Sequence, residues 1–521
     1  MSLASVELPS DPDALRAFAA ALQAELYSKT LHIEKLKAQL ATLRRARFGR
    51  SSEKLDRQID WLELTIGDLE EAEAASEARR EAAAATNPQS PSQARPPRKG
   101  NRRPLPDHLP REVVAHAGVC ACPACGSERL RKIEDEEREV LEYVPSHFKV
   151  VVHVRPKLSC RDCEAIAQPP MPSLPIERGR PGPGLIAHVL VSKYCDHLPL
   201  NRQCDIYGRE GVDLDRSTLA DWVGRAAWLL KPVAERIGDH VRAGPAVHAD
   251  DTPIPVLDPG RGQTRSGRLW VVVRDETPWA SKSPPAAYYH YSPDRKGEHA
   301  QALLAPLRGF LHADAYAGFD KLYAPDPKTG LPRLLPVACW AHARRELFDE
   351  HVRTKSPIAL QALEKIGAIF AIEREINGQT AEERRAVRQA RSTPLLVELR
   401  AYLETSLGRI SRKSELAKAI RYSLNRWEAL CRFTDDGRLE MSNNAAERAI
   451  RPLTLGRRNW TFLGSDTGGD RAAIFFTLIQ SCRLNGVNPQ AWLADLIARI
   501  ADHPMSRLDE LLPWNWKAHV A

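Results

Sequence analysis

Three acidic residues have the types needed for metal-dependent chemistry at a phosphate. Asp250 lies in the segment HADDTP, Asp314 in FLHADAY and Glu447 in NNAAERAIRP. Carboxylates held close together repel each other, and divalent cations with oxygen ligands relieve that repulsion. Two such ions about 3.5–4 Å apart can activate an attacking oxygen and stabilise a leaving oxygen in an in-line displacement at phosphorus. We therefore predict that these acids hold two Mg²⁺ or Mn²⁺ ions.

Each acid also has a simpler structural interpretation. An aspartate at a strand end is usually a turn residue or a helix cap, and Glu447 follows Asn444 by three residues, as in a capping box. Asp251 is an alternative to Asp250. Because adjacent residues of a strand face opposite sides of a sheet, only one of the two can point into a given cleft, and we favour Asp250. The hypothesis thus depends on the elements that carry the acids.

The segment 245–340 predicts a mixed sheet. Apolar runs predict strands at 246–250, 268–274, 287–291, 309–314 and 334–340, with short helices at 298–307 and 319–323. Three antiparallel strands followed by α/β crossovers make the first and fourth strands neighbours. Asp250 and Asp314 would then end adjacent strands and point into one cleft. Residues 341–432 are predicted to be helical, and a further helix beginning at Asn444 carries Glu447.

Four cysteines have the spacing of a metal site. Cys122 and Cys125 form one CxxC pair, and Cys160 and Cys163 form another. Two such pairs suit one tetrahedral, structural Zn²⁺. The 34 residues between the pairs exceed the usual spacing of about 15–20, but two β-type runs within them, VLEYV and FKVVVHV, are long enough to return as a hairpin. Buried free cysteines are the alternative, and Cys120 is a possible spare ligand.

Other residues are candidates for the cleft or for DNA. Cys339-x-x-His342 could line the cleft and position a phosphate or leaving group; a core cysteine beside a capping histidine is the alternative. Asn443 and Asn444 could contact the DNA backbone or cap their helix, and Trp460 could stack on an unpaired base or pack in the core. Basic side chains that could bind phosphate are Arg448, Arg451, Arg457 and Arg458 near Glu447, and Arg129, Arg131, Lys132, Arg155 and Lys157 around the cysteines.

The remaining chain divides into distinct segments. Residues 1–85 predict a coiled coil that makes a dimer, with an intramolecular helical hairpin as the alternative. Its a/d stripe is Leu22, Leu26, Lys29, Ile33, Leu36, Leu40 and Leu43. A basic, Pro- and Ser-rich linker at 86–111 precedes the zinc-binding module at 112–175. Residues 184–240 predict a helical, helix-turn-helix-like DNA-binding domain with a cap near Ser217, and residues 481–521 predict a helical tail.

Composition sets the broad class. The 521 residues contain 43% hydrophobic residues and no run of about 18 apolar residues, so no membrane span is expected. The N-terminus lacks the basic and apolar regions of a secretory signal, and we expect a cytoplasmic, nucleoid-associated protein. The net charge is +8, with arginines and lysines in separate clusters. Such clusters suit DNA as a partner, although a solvated basic surface has the same composition.

Several long segments resemble transposases of the insertion sequence 66 family, which are of the DDE type. They include LRRARFGRSSEKL, CPACG…CRDC, HADDTPIPVLDPGRGQTRSGRLWVVVRD, CWAHARREL, MSNNAAERAIRPLTLGRRNWTFLGSDTGGDRAA and LLPWNW. The resemblance covers nearly the whole chain. It implies an α/β RNase-H-like catalytic domain at 245–480, with a helical insertion at about 350–435 before the glutamate-bearing helix. It also implies an N-terminal leucine-zipper-like helix and a zinc module.

The resemblance further implies residue roles and an activity. Asp250, Asp314 and Glu447 match the family's catalytic acids, whereas Asp251 stands where the family commonly has Glu and Ser442 where it commonly has Asp. The expected activity is cleavage at terminal inverted repeats and joining of the 3′-OH ends to target DNA. Expected partners are a second copy of the chain, or more, and accessory proteins of the same element. The alternatives are a DNA-binding regulator that no longer cuts, and a nuclease that cuts without joining.

Overall fold

The computed structural model describes residues 76, 105–107, 109–116, 120–144, 147–176, 179–258, 260–314, 316–326 and 329–517. The predicted coiled coil, apart from residue 76, and most of the basic linker lie outside these ranges. The side chains of Arg457 and Arg458 are also outside the description. Within the described residues, every helix is too short or too polar to cross a lipid bilayer.

A four-stranded sheet carries the two CxxC pairs. Its strands are β1 (Arg111–Ala115), β2 (Leu130–Val144), β3 (His147–Cys160) and β4 (Ile166–Ala167). The strands β2 and β3 pair antiparallel, from Leu130 opposite Cys160 to Val144 opposite His147. The long segment between the cysteine pairs is therefore a hairpin that leaves and returns, as the β-type runs predicted. Its open end brings Cys125 and Cys160 to the same place.

Three helices follow this module: α1 (Pro183–Tyr194), α2 (Leu200–Arg209) and α3 (Arg216–Arg242). The N-cap of α3 is Asp215, two residues before the predicted cap at Ser217. Apolar residues recur along α3 at helical spacing and are buried from Leu219 to Val241. The helix therefore has one continuous face committed to packing.

The second sheet has five strands in the order β7-β6-β5-β8-β9. They are β5 (Ala246–Asp258), β6 (Gln263–Arg274), β7 (Ala286–Ser292), β8 (Gly309–His312) and β9 (Leu334–Val337), with helix α4 (Gly297–Leu303) between β7 and β8. The pairs β5–β6 and β6–β7 are antiparallel, whereas β5–β8 and β8–β9 are parallel. The first and fourth strands of this sheet are neighbours, in agreement with the predicted mixed sheet.

Three predicted strand ends were wrong. Strand β5 continues past Asp250 to Asp258, β8 ends at His312 before Asp314, and β9 ends at Val337 before a helix that begins at Trp340. Pro253 lies within β5 and does not end it. Since β5 pairs with β8 only as far as His248, the later part of β5 no longer has β8 beside it, and proline is tolerated at such an edge.

Six helices form the insertion between β9 and the helix of Glu447. They are α5 (Trp340–Thr354), α6 (Pro357–Glu375), α7 (Ala381–Val387), α8 (Thr393–Arg409), α9 (Glu415–Leu424) and α10 (Trp427–Cys431), with a π-helical turn at Arg388–Ser392. They bury their own hydrophobic cluster, which includes Trp340, Leu347 and Ile366. The prediction of helices over 341–432 agrees with these elements.

Three further helices complete the main body: α11 (Asn444–Trp460), α12 (Asp466–Leu484) and α13 (Pro489–Arg499). Helix α11 packs against β5 and β6, whereas α12 packs against β7 and α3. Residues of α1, α3, the sheet, α12 and α13 share one hydrophobic core. The predicted helical domain at 184–240 is therefore continuous with the sheet in its packing.

A buried ion network joins the insertion to the loop before α11. Arg388, fully buried in the π-helical turn, donates two hydrogen bonds to Glu373 at 2.8 and 2.6 Å. It also donates to the carbonyl oxygens of Phe433 and Leu439, both at 2.9 Å. The neighbouring Arg384 pairs with Glu440 in the same loop. These bonds fix the segment that leads into the helix of Glu447.

Substituting Arg388 with Ala is expected to destabilise the insertion strongly. The change removes the two hydrogen bonds to Glu373 and leaves it only Arg384, which lies 3.7 Å away and also pairs with Glu440. Breaking a buried pair costs about 3–5 kcal/mol. A lower thermal unfolding midpoint, and faster proteolysis within residues 340–440, would report the loss. Arg391→Ala is the matched control, because Arg391 lies in the same turn but pairs with an exposed Glu375. Equal midpoints for the two variants would contradict this account.

Candidate active site and metal centres

Asp250 and Asp314 each lie two residues after the last paired position of β5 and β8. Strands β5 and β8 pair in parallel with His248 opposite His312. Asp250 follows His248 by two residues and Asp314 follows His312 by two residues. Because side chains alternate along a strand, each aspartate lies on the same face as the histidine that precedes it while the strand geometry persists. The register thus brings the two carboxylates to one edge of the sheet.

The two histidines form a buried, neutral support for this edge. Their rings stack with centroids 4.1 Å apart, and both side chains are almost fully buried. Burial lowers the pKa of His248 to about 4 and lowers that of His312 well below its usual range. The amide of Glu440 donates to His312 Nε2 at 3.0 Å, and His312 Nδ1 lies 3.3 Å from the carbonyl oxygen of Val247. The stack therefore contributes packing and no positive charge near pH 7.

Asp250 is the most perturbed of the three acids. Its pKa is raised to about 7, mainly by burial and also by the negative charges of Asp314, Asp251 and Glu447, against the lowering effect of a hydrogen bond from the amide of Asp251. Within the described part of the chain, no lysine or arginine forms an ion pair with Asp250. A buried carboxyl facing other carboxylates is the electrostatic setting in which a divalent cation is favourable.

Asp251 has a different environment from Asp250. Its side chain is 2% exposed and accepts hydrogen bonds from Arg268 at 2.9 Å and Arg295 at 2.8 Å. Arg295 also lies 3.9 Å from Asp314 and over the ring of Tyr316, whose amide donates to Asp314 at 3.1 Å. The charge of Asp251 is thus compensated by two guanidinium groups. Arg295 was missed in the sequence because it reads as one more charge in the loop SPDRKGEH.

Asn443, four residues before Glu447, fixes the start of α11 to strand β5. The buried amide of Asn443 donates to the carbonyl oxygen of Ala249 at 2.9 Å, and its Oδ1 lies 3.1 Å from His248 Nδ1. The start of α11 is therefore tied to β5 directly beside Asp250. Asn443 cannot contact DNA as one of the sequence interpretations had it, since it is 1% exposed. Glu447 is the fourth residue of α11, one position beyond that of a capping box, and its Oε1 is buried with no hydrogen-bond partner among the described residues.

Cys339 and His342 lie against Glu447. Cys339 is the N-cap of α5, and its sulfur accepts the backbone N–H of Asn443 at 3.2 Å. His342 Nε2 is 3.8 Å from Glu447 Oε1. The structure thus combines parts of both predictions: the cysteine is a buried cap, and the histidine borders the acidic cluster.

Among the described residues, two groups of three or more potential metal ligands have all their ligand atoms within 4.8 Å of one another. One group is the four cysteines Cys122, Cys125, Cys160 and Cys163, and the other is Cys339, His342 and Glu447. Asp250, Asp314 and Glu447 do not form a third group under this criterion. Ligands of two different ions about 3.5–4 Å apart can be farther from each other than ligands of one ion.

The four cysteines have the arrangement of a tetrahedral site. The sulfur of Cys122 is 3.4 Å from that of Cys163, and the sulfur of Cys125 is 3.7 Å from that of Cys160. In each CxxC turn the first cysteine accepts the backbone N–H of the second and third residues after it, which lowers the pKa of Cys122 and brings that of Cys160 to about 7. This donor set suits Zn²⁺. Cys120 is exposed and is not part of the cluster.

The basic residues around the cysteines are largely neutralised. Arg129 pairs with Asp162, Lys132 with Asp135, Arg155 with Glu136, and Lys157 with Glu134. The acidic partners lie on the same hairpin or beside it. The predicted DNA contact of this module therefore lacks a free positive surface at these four residues.

The predicted DNA contacts on α11 differ in exposure. Asn444, Arg448 and Arg451 are exposed, and Arg448 lies 3.6 Å from Asp275. Trp460 is half-buried and packs against the main core, as in the packing alternative. Arg457 and Arg458 belong to α11, and their side chains fall outside the described part of the chain.

Family models cover most of this chain. The model of the Transposase IS66 family matches residues 178–471, and the IS66 C-terminal element matches residues 477–514. The zinc-finger binding domain of transposase IS66 matches residues 120–164, which include all four clustered cysteines. The model described as Transposase C of IS166 homeodomain matches residues 35–114.

Relatives that match most of this chain occur in Sinorhizobium fredii. The chain is 44% identical to the uncharacterized protein y4hP over 497 aligned residues. This alignment covers 92% of this chain and 88% of y4hP. It is 38% identical to the uncharacterized protein y4jD over 495 aligned residues, which cover 93% of this chain and 94% of y4jD. It is 36% identical to the uncharacterized protein y4qI over 542 aligned residues, which cover 99% of each protein. Each relative is described as uncharacterized, so the relatives support the family and add no activity.

Removing one ligand of the four-cysteine cluster is expected to remove the metal. Cys160→Ala should purify with about one zinc ion fewer per chain than the unmodified protein, because three thiolates leave the tetrahedral site incomplete. Elemental analysis of the purified protein measures this. Cys120→Ala is the control, since Cys120 lies close by in sequence but outside the cluster. Zinc retained in Cys160→Ala, or lost in Cys120→Ala, would show that the cluster is not the site.

The raised pKa of Asp250 predicts a pH-dependent cost to the metal-free protein. The folded-state pKa of about 7 exceeds the ordinary value of 3.8, so the unfolded chain ionises first and stability falls as pH rises from about 4 to 7. Asp250→Asn removes this cost. In the absence of divalent cations, the free energy of unfolding of the variant should equal that of the unmodified protein near pH 4. Above pH 7 it should be higher, by at most about 4 kcal/mol, as measured by denaturant unfolding at each pH.

The same variant separates cation binding from general stabilisation. Mg²⁺ should raise the unfolding temperature of the unmodified protein at pH 8 and have a smaller effect on Asp250→Asn. Asp349→Asn, an exposed acid on α5, should respond as the unmodified protein does. An equal response of all three proteins would place the cation elsewhere.

Proposed function

The chain belongs to the Transposase IS66 family, and we propose that it is a DNA transposase that cleaves DNA at the terminal inverted repeats of an insertion element and joins the 3′-OH ends to target DNA. One observation supports this above the others. Asp250 and Asp314 each follow the last paired residues of β5 and β8 by two positions, and Asn443 ties the helix of Glu447 to the strand of Asp250. The sheet order, with three antiparallel strands followed by two parallel ones, supports an RNase-H-like assignment of the domain.

The residues present fit a pair of hard divalent cations. Asp250, Asp314 and Glu447 offer carboxylate oxygens, the ligands that Mg²⁺ and Mn²⁺ prefer. The pKa of Asp250 is raised by burial and by the other acids, and Glu447 keeps one buried oxygen without a hydrogen bond. When bound, two Mg²⁺ or Mn²⁺ ions would activate the attacking oxygen and stabilise the leaving oxygen of an in-line displacement.

The surrounding residues position the acids and the substrate. Arg295 bridges Asp251 and Asp314, so it holds the Asp314 side of the cleft against the repulsion of its neighbours. Arg448 and Arg451 are exposed on α11 near Glu447, where guanidinium groups can bind the phosphates that flank the scissile bond. We assign them to DNA contact together with Asn444.

The other segments have roles in assembly under this proposal. The four-cysteine module holds one structural Zn²⁺, and helices α1 to α3 contribute to binding of the element ends. The N-terminal segment pairs two protomers so that both ends are held together. Accessory proteins of the same element complete the reaction in the cell.

Purified protein with labelled DNA that carries the element's terminal repeats and Mg²⁺ tests the activity. Asp250→Asn and Glu447→Gln are expected to lower cleavage by about 10³-fold or more, because several kcal/mol of charge stabilisation are lost. DNA binding should change little, since the acids contribute no positive charge. Asp349→Asn should cleave normally.

The products distinguish the proposal from its alternatives. Cleaved ends joined to a second DNA support a transposase, whereas cleavage without any joined product indicates a nuclease. DNA binding with no cleavage, unchanged in Asp250→Asn, would contradict the proposal and favour a regulator.

A further inference from the structure

A second cluster of potential ligands shares Glu447 with the acidic site. It consists of Cys339, which caps α5, His342 in the first turn of α5, and Glu447 in the first turns of α11. Their sulfur, ring nitrogen and carboxylate oxygen all lie within 4.8 Å of one another, and His342 Nε2 is 3.8 Å from Glu447 Oε1. Three ligands of one metal ion have separations of this order.

The backbone around Cys339 resembles that around the clustered cysteines. The sulfur of Cys339 accepts N–H bonds from Ala341 and His342, the second and third residues after it. The first cysteine of each CxxC turn accepts from the same two positions: Cys122 from Ala124 and Cys125, and Cys160 from Asp162 and Cys163. A third N–H bond comes from Asn443 at 3.2 Å. The Cys339-x-x-His342 turn is therefore built like a metal-binding turn, with histidine in place of the second cysteine.

The cluster has unused capacity for coordination. Glu447 Oε1, the oxygen nearest His342 Nε2, is buried and has no hydrogen-bond partner within the described residues. The side chains of His342 and Glu447 are 28% and 30% exposed, so an ion held between them and Cys339 can reach water for a fourth ligand. This is the composition of an open zinc site with three protein ligands.

The donor types select a transition metal over Mg²⁺. Sulfur and imidazole nitrogen suit Zn²⁺ and Co²⁺, whereas Mg²⁺ requires oxygen ligands. Asp250 and Asp314 supply only oxygen. Glu447 can therefore complete either of two metal sites: one of carboxylate oxygens with Asp250 and Asp314, or one of sulfur and nitrogen ligands with Cys339 and His342.

We propose that Cys339, His342 and Glu447 bind one Zn²⁺, distinct from the ion of the four cysteines, and that this ion draws Glu447 away from Asp250 and Asp314 and inhibits the Mg²⁺-dependent reaction. The inhibition rests on the proposed function, but the binding does not. Since sites with sulfur and nitrogen donors favour Zn²⁺ strongly, low concentrations of zinc compete for Glu447 even in excess Mg²⁺.

Cobalt titration of the full-length protein tests the binding. The protein, with one Zn²⁺ already bound per chain, is titrated with Co²⁺ in excess Mg²⁺. One equivalent of Co²⁺ should bind, as the second metal ion per chain, and produce sulfur-to-cobalt charge-transfer absorption. Cys339→Ser and His342→Ala should abolish that absorption, whereas Asp250→Asn and Cys204→Ser should retain it. Retention of the first zinc ion and an unchanged near-ultraviolet circular dichroism spectrum show that each variant is folded.

Cleavage assays then test the inhibition. Added Zn²⁺ should inhibit cleavage by the unmodified protein. For the residual activity of His342→Ala, the Zn²⁺ concentration that gives half-inhibition should be at least about tenfold higher. The site would be overturned if no Co²⁺ gave the charge-transfer absorption, or if that absorption persisted in Cys339→Ser. Cobalt bound at this site in a protein that never cleaves DNA would leave the site standing and remove the proposed function instead.

Discussion

The parallel pairing of β5 with β8 is the constraint on which the candidate site depends. With His248 opposite His312, the two aspartates that follow come to the same edge of the sheet. A slip of one residue would turn one of the two carboxylates to the other face. The stacked imidazoles resist such a slip, because both rings are buried and both hydrogen-bond to neighbouring segments. The register therefore sets the distance over which the two acids interact.

Glu447 joins this edge from far along the chain. It lies 133 residues after Asp314. Closing so long a loop costs little more free energy than closing a short one, because the conformational entropy lost on closure grows only with the logarithm of loop length. The insertion folds around its own core, and the buried Arg388 fastens its last turns to the loop before α11. Asn443 then fixes the helix to β5. The third acid is thus positioned by hydrogen bonds to the strand of the first.

The sequence predicted the elements better than their contacts. The strand order, the adjacency of β5 and β8, the hairpin between the CxxC pairs and the helices of residues 341–432 follow from periodicity, turn residues and element order. That these helices form an insertion was implied only by the family resemblance. The predicted end of β5 at Asp250 was wrong because the local sequence does not show that the strand continues beside β6 after its pairing with β8 ends, where a proline is tolerated. Asn443 was interpreted as a DNA contact or a cap because an asparagine before a helix reads as a surface residue. Its burial, and the bridge made by Arg295, arise from residues distant in sequence that no local pattern reports.

The central claim is that three carboxylates, on β5, after β8 and on α11, hold two cations together. Anomalous diffraction from crystals grown with Mn²⁺ and DNA of the element ends measures this directly. The account predicts two manganese peaks about 3.5–4 Å apart, in contact with Asp250, Asp314 and Glu447. Manganese absent from these carboxylates, or bound with the three side chains directed to separate places, would contradict it.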